Sequence, residues 1–188
     1  MTIKVKAIIG STSSTSYNLK LVNFMAKRYE DQLTIIPVLI NDLDMFSIDN
    51  ESEPPAAVRV FKDDVKDSDA VLFATPEYNF SIPGAMKNAL DWLSRGGDFT
   101  LHGKPGFIVG ASMGVFGSIR AQMHLREILS NPALAPILLP GNEVYVGAVH
   151  NKMNESGDII DEATLTFLDT VVENFVTFYH RQQAVAEA

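Results

Sequence analysis

Residues 10–18, Gly10-Ser11-Thr12-Ser13-Ser14-Thr15-Ser16-Tyr17-Asn18, place six aliphatic hydroxyls in one short stretch. The stretch follows an apolar run, Ile3 to Ile9, and precedes a helical pattern that begins near Asn18. A helix N-terminus offers free N–H groups and the positive end of the peptide dipole, so anions settle there. Hydroxyls add donors that wrap a phosphate without a counter-charge. Ser16 or Asn18 alone suffices to cap the helix. Six hydroxyls exceed that need, and the loop is read as a phosphate site. It lacks a Gly-Lys-Ser/Thr ending, which excludes a P-loop, and no Gly-x-Gly-x-x-Gly follows the first strand, which excludes the dinucleotide fingerprint. A terminal monophosphate remains. Residues 1–29 also contain Lys4, Lys6, Lys20, Lys27 and Arg28 but no acid; taken alone this reads as chance and solvation, with an end kept open to an anion as the alternative.

A second chemistry-bearing stretch runs from Ala74 to Arg95. Pro76 and Pro83 bracket a segment that leaves an apolar strand and holds Tyr78 and Asn79 where that strand ends. Such a loop presents backbone amides and an aromatic ring to a flat heterocycle; the plainer alternative is a connection into a helix with Tyr78 packed for stability. A third stretch, Gly110-Ala111-Ser112-Met113-Gly114, matches the Gly-x-Ser-x-Gly nucleophile elbow of α/β-hydrolases. That rival reading makes Ser112 a nucleophile and needs a later His and acid, for which His150 or His180 and Asp158 or Asp161 are the nominees. Against it, the chain is short for that fold, no His-Gly-Gly oxyanion loop is present, and the elbow leaves the other two loops unexplained. His102, His124, His150 and His180 show no metal-ligand spacing, so no metal site is expected. Arg120 reads as a solvated arginine, with a cofactor phosphate or a partner subunit as the alternatives.

These loops need a scaffold. Apolar runs at 3–9, 33–40, 70–74 and 107–111 read as buried strands, and a fifth lies within 137–149, interrupted by Pro140-Gly141. Helical spacing is read over 18–29, with Leu21, Phe24 and Met25 inward, and on Val58, Phe61 and Val65. It recurs on Met86, Ala89, Leu90 and Leu93, over 117–129, and over 161–179, where Leu165, Leu168, Val172, Phe175, Val176 and Tyr179 turn inward. Strands this continuously apolar, alternating with helices, form a parallel sheet covered on both faces. Ligands of such sheets bind beyond the strand carboxyl ends, and the three loops follow strands one, three and four.

Length and composition bound the rest. A chain of 188 residues fits one domain spanning 1–188. Hydrophobic content of 46% is too high for disorder. The absence of cysteine excludes thiolate chemistry and disulfides. A net charge of −8 argues against nucleic acid as a partner. No apolar run approaches a membrane span, and Met1-Thr2-Ile3-Lys4-Val5 runs into a strand without the pattern of a signal peptide, so the cytoplasm is expected.

On these motifs the chain resembles the NADPH-dependent FMN reductase family, the flavodoxin-like quinone, azo-dye and chromate reductases. Pro76-Glu77-Tyr78-Asn79, then Pro83-Gly84, then Lys87-Asn88-x-x-Asp91-Trp92 carry the likeness. Gly10, Ser11, Ser16 and Asn18 match the family's Gly-Ser-x-Arg-x-x-Ser-x-Asn loop. Element order agrees over nearly the whole chain. The resemblance implies an α/β fold: a flavodoxin-like, doubly wound five-stranded parallel sheet, order 2-1-3-4-5, with helices on both faces. It implies FMN as cofactor and NADPH or NADH as co-substrate. Ser11, Ser13, Ser16, Tyr17 and Asn18 would surround the phosphate, and Pro76, Glu77, Tyr78 and Asn79 would line the isoalloxazine. Ser112, Gly114 and Gly117 would stay small so that backbone approaches the pyrimidine edge. Ser13 stands where the family often carries Arg, which leaves the phosphate to neutral donors, the helix dipole and Lys20. Trp92 is most simply a helix residue that buries its ring; the resemblance adds a place at a subunit interface near the flavin.

The implied activity is ping-pong hydride transfer from NAD(P)H to bound FMN and on to a small-molecule acceptor: a quinone, an azo compound, free flavin or a metal oxyanion. No side chain need act as general acid or base, so no catalytic residue is assigned. A homodimer or homotetramer is implied, the partner contributing to the pocket wall. A flavodoxin-type electron carrier without NAD(P)H oxidation, or a flavodoxin-like domain that has lost FMN, would share the fold.

Overall fold

Apolar, β-branched stretches become interior strands. In the computed structural model β1 (Ile3–Ile9), β3 (Ala70–Ala74) and β4 (Pro105–Ala111) are buried along nearly their whole length. Residues 2–186 are described; Met1, Glu187 and Ala188, the ends of the 1–188 span, lie outside the described residues. β2 (Leu33–Leu39) runs parallel to β1, from Ile3 opposite Leu33 to Ile9 opposite Leu39. It forms one margin of the sheet, and Pro37 removes a backbone donor from that margin. The strand order is β2-β1-β3-β4-β5, all parallel, as the resemblance implied. The fifth position is filled by two short pieces. β5 (Ile137–Leu138) pairs with Pro105 and Gly106, and β6 (Val144–Val146) pairs with Val109 to Ala111. Pro140 and Gly141 fall between them, so the interruption read in the sequence is the gap.

Helices α1 (Tyr17–Arg28) and α5 (Glu162–Ala186) cover one face, where Leu21, Val22 and Met25 meet Leu168, Val172 and Phe175. The rings of Phe107 and Phe175 lie 4.4 Å apart, centroid to centroid. Helices α2 (Ala56–Lys66), α3 (Gly84–Leu93) and α4 (Ile119–Leu129) cover the other face. Several limits differ from the expected ones, and two of the differences have a local cause. α5 runs past Tyr179 to Ala186, because 180–186 holds no Gly or Pro to stop it. α4 starts at Ile119 rather than Gly117, whose φ of +62 lies outside the helical region.

The Lys87-Asn88-x-x-Asp91-Trp92 motif has a local physical role. Asn88 Oδ1 accepts the N–H of Phe46 at 2.7 Å, and its Nδ2 donates to the carbonyl of Asp44 at 3.0 Å. Trp92 donates its indole N–H to the same carbonyl at 2.7 Å and meets Phe46 edge-on, with centroids 5.0 Å apart. Trp92 is only 1% exposed, so its ring is buried in the core as its place on the helix suggests, and it anchors the 41–46 loop. Asn41 then reaches across to donate to the carbonyl of Thr12 at 3.0 Å, tying that loop to the hydroxyl-rich one.

At the opposite end of α1, Arg28 grips Asp169 with two bonds of 2.7 and 2.8 Å, and Tyr29 donates to the same carboxylate at 2.9 Å. Arg28 holds the Asp169 carboxyl below the usual carboxylate range. A depressed native pKa stabilises the fold above the ordinary carboxylate range and loses that contribution as pH falls through the lowered value. D169N is therefore expected to be less stable than wild type near neutral pH, with the difference narrowing in acid. Melting temperatures at several pH values test this; a gap that stays constant down to strong acid refutes it.

Candidate cofactor cleft

Beyond the carboxyl ends of β1, β3 and β4 lies a cleft of about 250 Å³. The first loop and α1 contribute Ser11, Ser13, Ser16, Tyr17 and Asn18; the loop after β3 contributes Pro76, Glu77 and Tyr78; the loop after β4 contributes Ser112. The three chemistry-bearing loops therefore share one site. Thr15, Ala111 and Met113 also line it. Thr15 has a signal in the hydroxyl run, and Ala111 and Met113 fall at the unspecified positions of the Gly-x-Ser-x-Gly stretch. Asn79, Gly114 and Gly117 are not among the lining residues.

The first loop is shaped by its own hydroxyls. Ser11 Oγ accepts the N–H of Ser13 at 3.3 Å, and Ser13 Oγ accepts the N–H of Thr15 at 3.2 Å. Ser16 caps α1 by accepting the N–H of Leu19 at 3.2 Å. That leaves the N–H groups of Tyr17 and Asn18 without a protein acceptor among the described residues, at the positive end of the helix. Glu77 is the only charged side chain in the lining. Lys20 packs its ammonium over the ring of Tyr17, 5.8 Å from the centroid, and does not line the cleft.

Two expected ligand contacts are engaged elsewhere through their side chains. Asn18 is 2% exposed; its Nδ2 donates to the carbonyl of Ala111 at 3.0 Å and its Oδ1 accepts the N–H of Ala111 at 2.9 Å. The amide thus clamps the start of α1 to the last residue of β4. Glu77 accepts the N–H groups of Arg120 and Ala121 at 2.9 and 3.3 Å. It supplies the cap that Ser118, at the N-cap of α4, does not make with its side chain.

The segment after Glu77 is a tight hairpin. Tyr78 and Ser81 exchange backbone bonds of 3.0 Å in both directions, around Asn79 at φ +50 and Phe80 at φ +66. Two consecutive positive φ values define a type I′ turn, one that Asn tolerates and that costs a bulky residue such as Phe about 1–2 kcal/mol. Asn79 thus shapes the turn and Tyr78 carries the ring to the cleft. Gly117 also departs from its expected role. A Cβ there would meet the Tyr145 backbone at 3.0 Å, so its bareness serves packing against β6.

The nucleophile reading of Ser112 fails on geometry. Its Oγ accepts the N–H of Gly114 at 3.0 Å, and no histidine among the described residues is hydrogen-bonded to it. The helix after it begins only at Ile119, so there is no sharp strand-to-helix elbow. His124 instead shares a 3.0 Å bond with Ser81.

Residues 3–151 match the model of a family described as NADPH-dependent FMN reductase. The chain is 40% identical over 185 residues to the NADH-dependent flavin reductase subunit 2 of Lactobacillus johnsonii, covering 96% of this chain and 100% of that protein. It is 34% identical over 183 residues to a quinone reductase of Escherichia coli, covering 95% and 96%. Among solved structures it resembles FerB, a flavoenzyme NAD(P)H:(acceptor) oxidoreductase from Paracoccus denitrificans. That likeness has a TM-score of 0.87 at 34% identity and covers 96% of this chain and 98% of FerB.

Proposed function

Because this chain belongs to the NADPH-dependent FMN reductase family, and is thus an FMN-dependent NAD(P)H oxidoreductase, we propose that the hydroxyl-lined cleft is its FMN site. The phosphate lies against α1 and the ring between Pro76–Tyr78 and Ser112–Met113. One observation carries this reading: the hydroxyl loop, the two free amides of α1 and the proline-framed loop meet in a single cleft. The donor chemistry fits a phosphomonoester at one end, and Pro76, Tyr78, Ala111 and Met113 offer a largely apolar bed at the other.

When bound, FMN would supply the hydride-transfer chemistry that links NAD(P)H to an acceptor. The chain's own residues bind and orient. Ser11 and Ser16 are buried and so hold their hydroxyls in place, while Ser13 and Thr15 stand exposed and close over the phosphate. Tyr17 and Asn18 donate through backbone. Glu77 lines the cleft while its carboxylate caps α4, and Asn79, Gly114 and Gly117 shape the walls from outside the lining. The acceptor is a small molecule, and a quinone or free flavin fits an open, partly apolar cleft. With NAD(P)H as its reductant the protein works in the cytoplasm, as one domain.

Large apolar side chains stand bare beside the cleft, among them Val115 at 80% and Phe116 at 74% exposure. So much clustered apolar surface supports a homodimer or homotetramer, a second copy covering it. No helix among the described residues is long and apolar enough to cross a membrane.

Titration of the purified protein with FMN, followed by flavin fluorescence, is expected to show saturable quenching. Steady-state oxidation of NADPH and NADH against a panel of quinones, azo dyes and flavins is expected to give ping-pong kinetics. A protein that neither binds FMN nor oxidises either nucleotide refutes the assignment. FMN binding without nucleotide oxidation points to an electron carrier instead.

A further inference from the structure

The hairpin that brings Tyr78 to the cleft passes through a left-handed Phe80, a conformation that bulky L residues avoid. Burial does not compensate, because Phe80 is 65% exposed. What its ring meets is the guanidinium of Arg120, 4.1 Å from the ring centroid. The same guanidinium lies 3.7 Å from one oxygen of Glu77, whose other oxygen accepts the Arg120 N–H. Ser81, at the far end of the turn, bonds to His124 one helical turn further along α4. Residues on both sides of the strained turn are thus fastened to the first turns of one helix.

We infer that Arg120 is a positioning residue of the reductase site: it pins Phe80, and through the hairpin fixes Tyr78 against the ring end of the cleft. Arg120 does not line that cleft, so it acts through the hairpin and not on the cofactor. A guanidinium suits the task because it is flat. It stacks on an aromatic face while its edge points at a carboxylate, whereas an ammonium is a point charge on a flexible stem. Glu77 aims the group and Phe80 receives it. The inference rests on FMN occupying this cleft.

The test uses the full chain and FMN itself. R120A leaves the backbone bond to Glu77 intact and removes the guanidinium together with its aliphatic stem. It is expected to weaken FMN binding about threefold, the scale of one exposed cation–aromatic contact. The visible absorption bands of bound flavin should shift as Tyr78 moves, with an unchanged melting temperature for the free protein. R120K should recover part of the affinity. F80G removes the ring and relaxes the turn at once, so adding R120A to F80G should change nothing further. R120A with wild-type FMN affinity and spectrum overturns the inference. So does an R120A effect that is equally large in the F80G background, which would place the guanidinium's action elsewhere. Wild-type protein that leaves FMN fluorescence unquenched would instead overturn the cleft assignment, and this inference with it.

Discussion

G110A is expected to lower stability by about 3 kcal/mol or more, as overpacking at a fully packed site does, and to abolish tight FMN binding. A Cβ at this position would sit 1.8 Å from Ser118 Oγ, 2.7 Å from the Thr75 carbonyl and 2.9 Å from Gln122 Nε2. Two of those neighbours are themselves fully buried side chains, and the third is backbone at the end of β3, so little can yield. Relief requires β4 to move away from β3 or α4, and both carry loops of the cleft. For a chain of this size the melting temperature should fall by roughly 6–12 °C. Adding S118A removes the nearest obstacle and should restore part of the loss, because the two substitutions share a contact. A G110A protein that melts and binds FMN like wild type would show that the packing under the cleft is loose.

The second large effect is expected at Asn18. N18A leaves the N–H and carbonyl of Ala111 buried without partners, at about 1–3 kcal/mol for each orphaned group. It also frees the start of α1 from β4. This amide joins the phosphate loop of the proposed site to the end of β4, which forms part of the ring bed. FMN affinity should therefore fall along with stability, by at least about tenfold for each 1.4 kcal/mol of lost preorganisation. N18D is the sharper test. A carboxylate still accepts from the Ala111 N–H but faces the Ala111 carbonyl with an oxygen where a donor is needed, in a site too buried to solvate a charge. It should be worse than N18A. Calorimetry and FMN titration of the two proteins decide, and an N18D protein equal to wild type would remove the clamp from the account.

Much of the molecule was readable from residue order. The apolar runs named the core strands because their side chains have nowhere to go but inside, and Pro140-Gly141 correctly marked a break in the last one. The three loops were found because their chemistry is unusual for mere connections. What stayed hidden was which polar atoms face the ligand. Asn18 and Glu77 lie in the right motifs, but a sequence does not show that Ala111 and the first turn of α4 have already claimed their side chains. Such partners lie far along the chain, and only the packing of β4 and α4 brings them close. The burial of Trp92 is legible in its helix, but its partner, the Asp44 carbonyl, is a backbone atom with no sequence signature.

The proline in the middle of β2 has a consequence for how this molecule meets its neighbours. β2 is the outermost strand on its side, and an outer strand with a full row of donors and acceptors is a template on which a foreign or misfolded segment can grow. Pro37 interrupts that row with a ring that cannot donate. Growth of a foreign strand along this flank is thereby disfavoured at its centre.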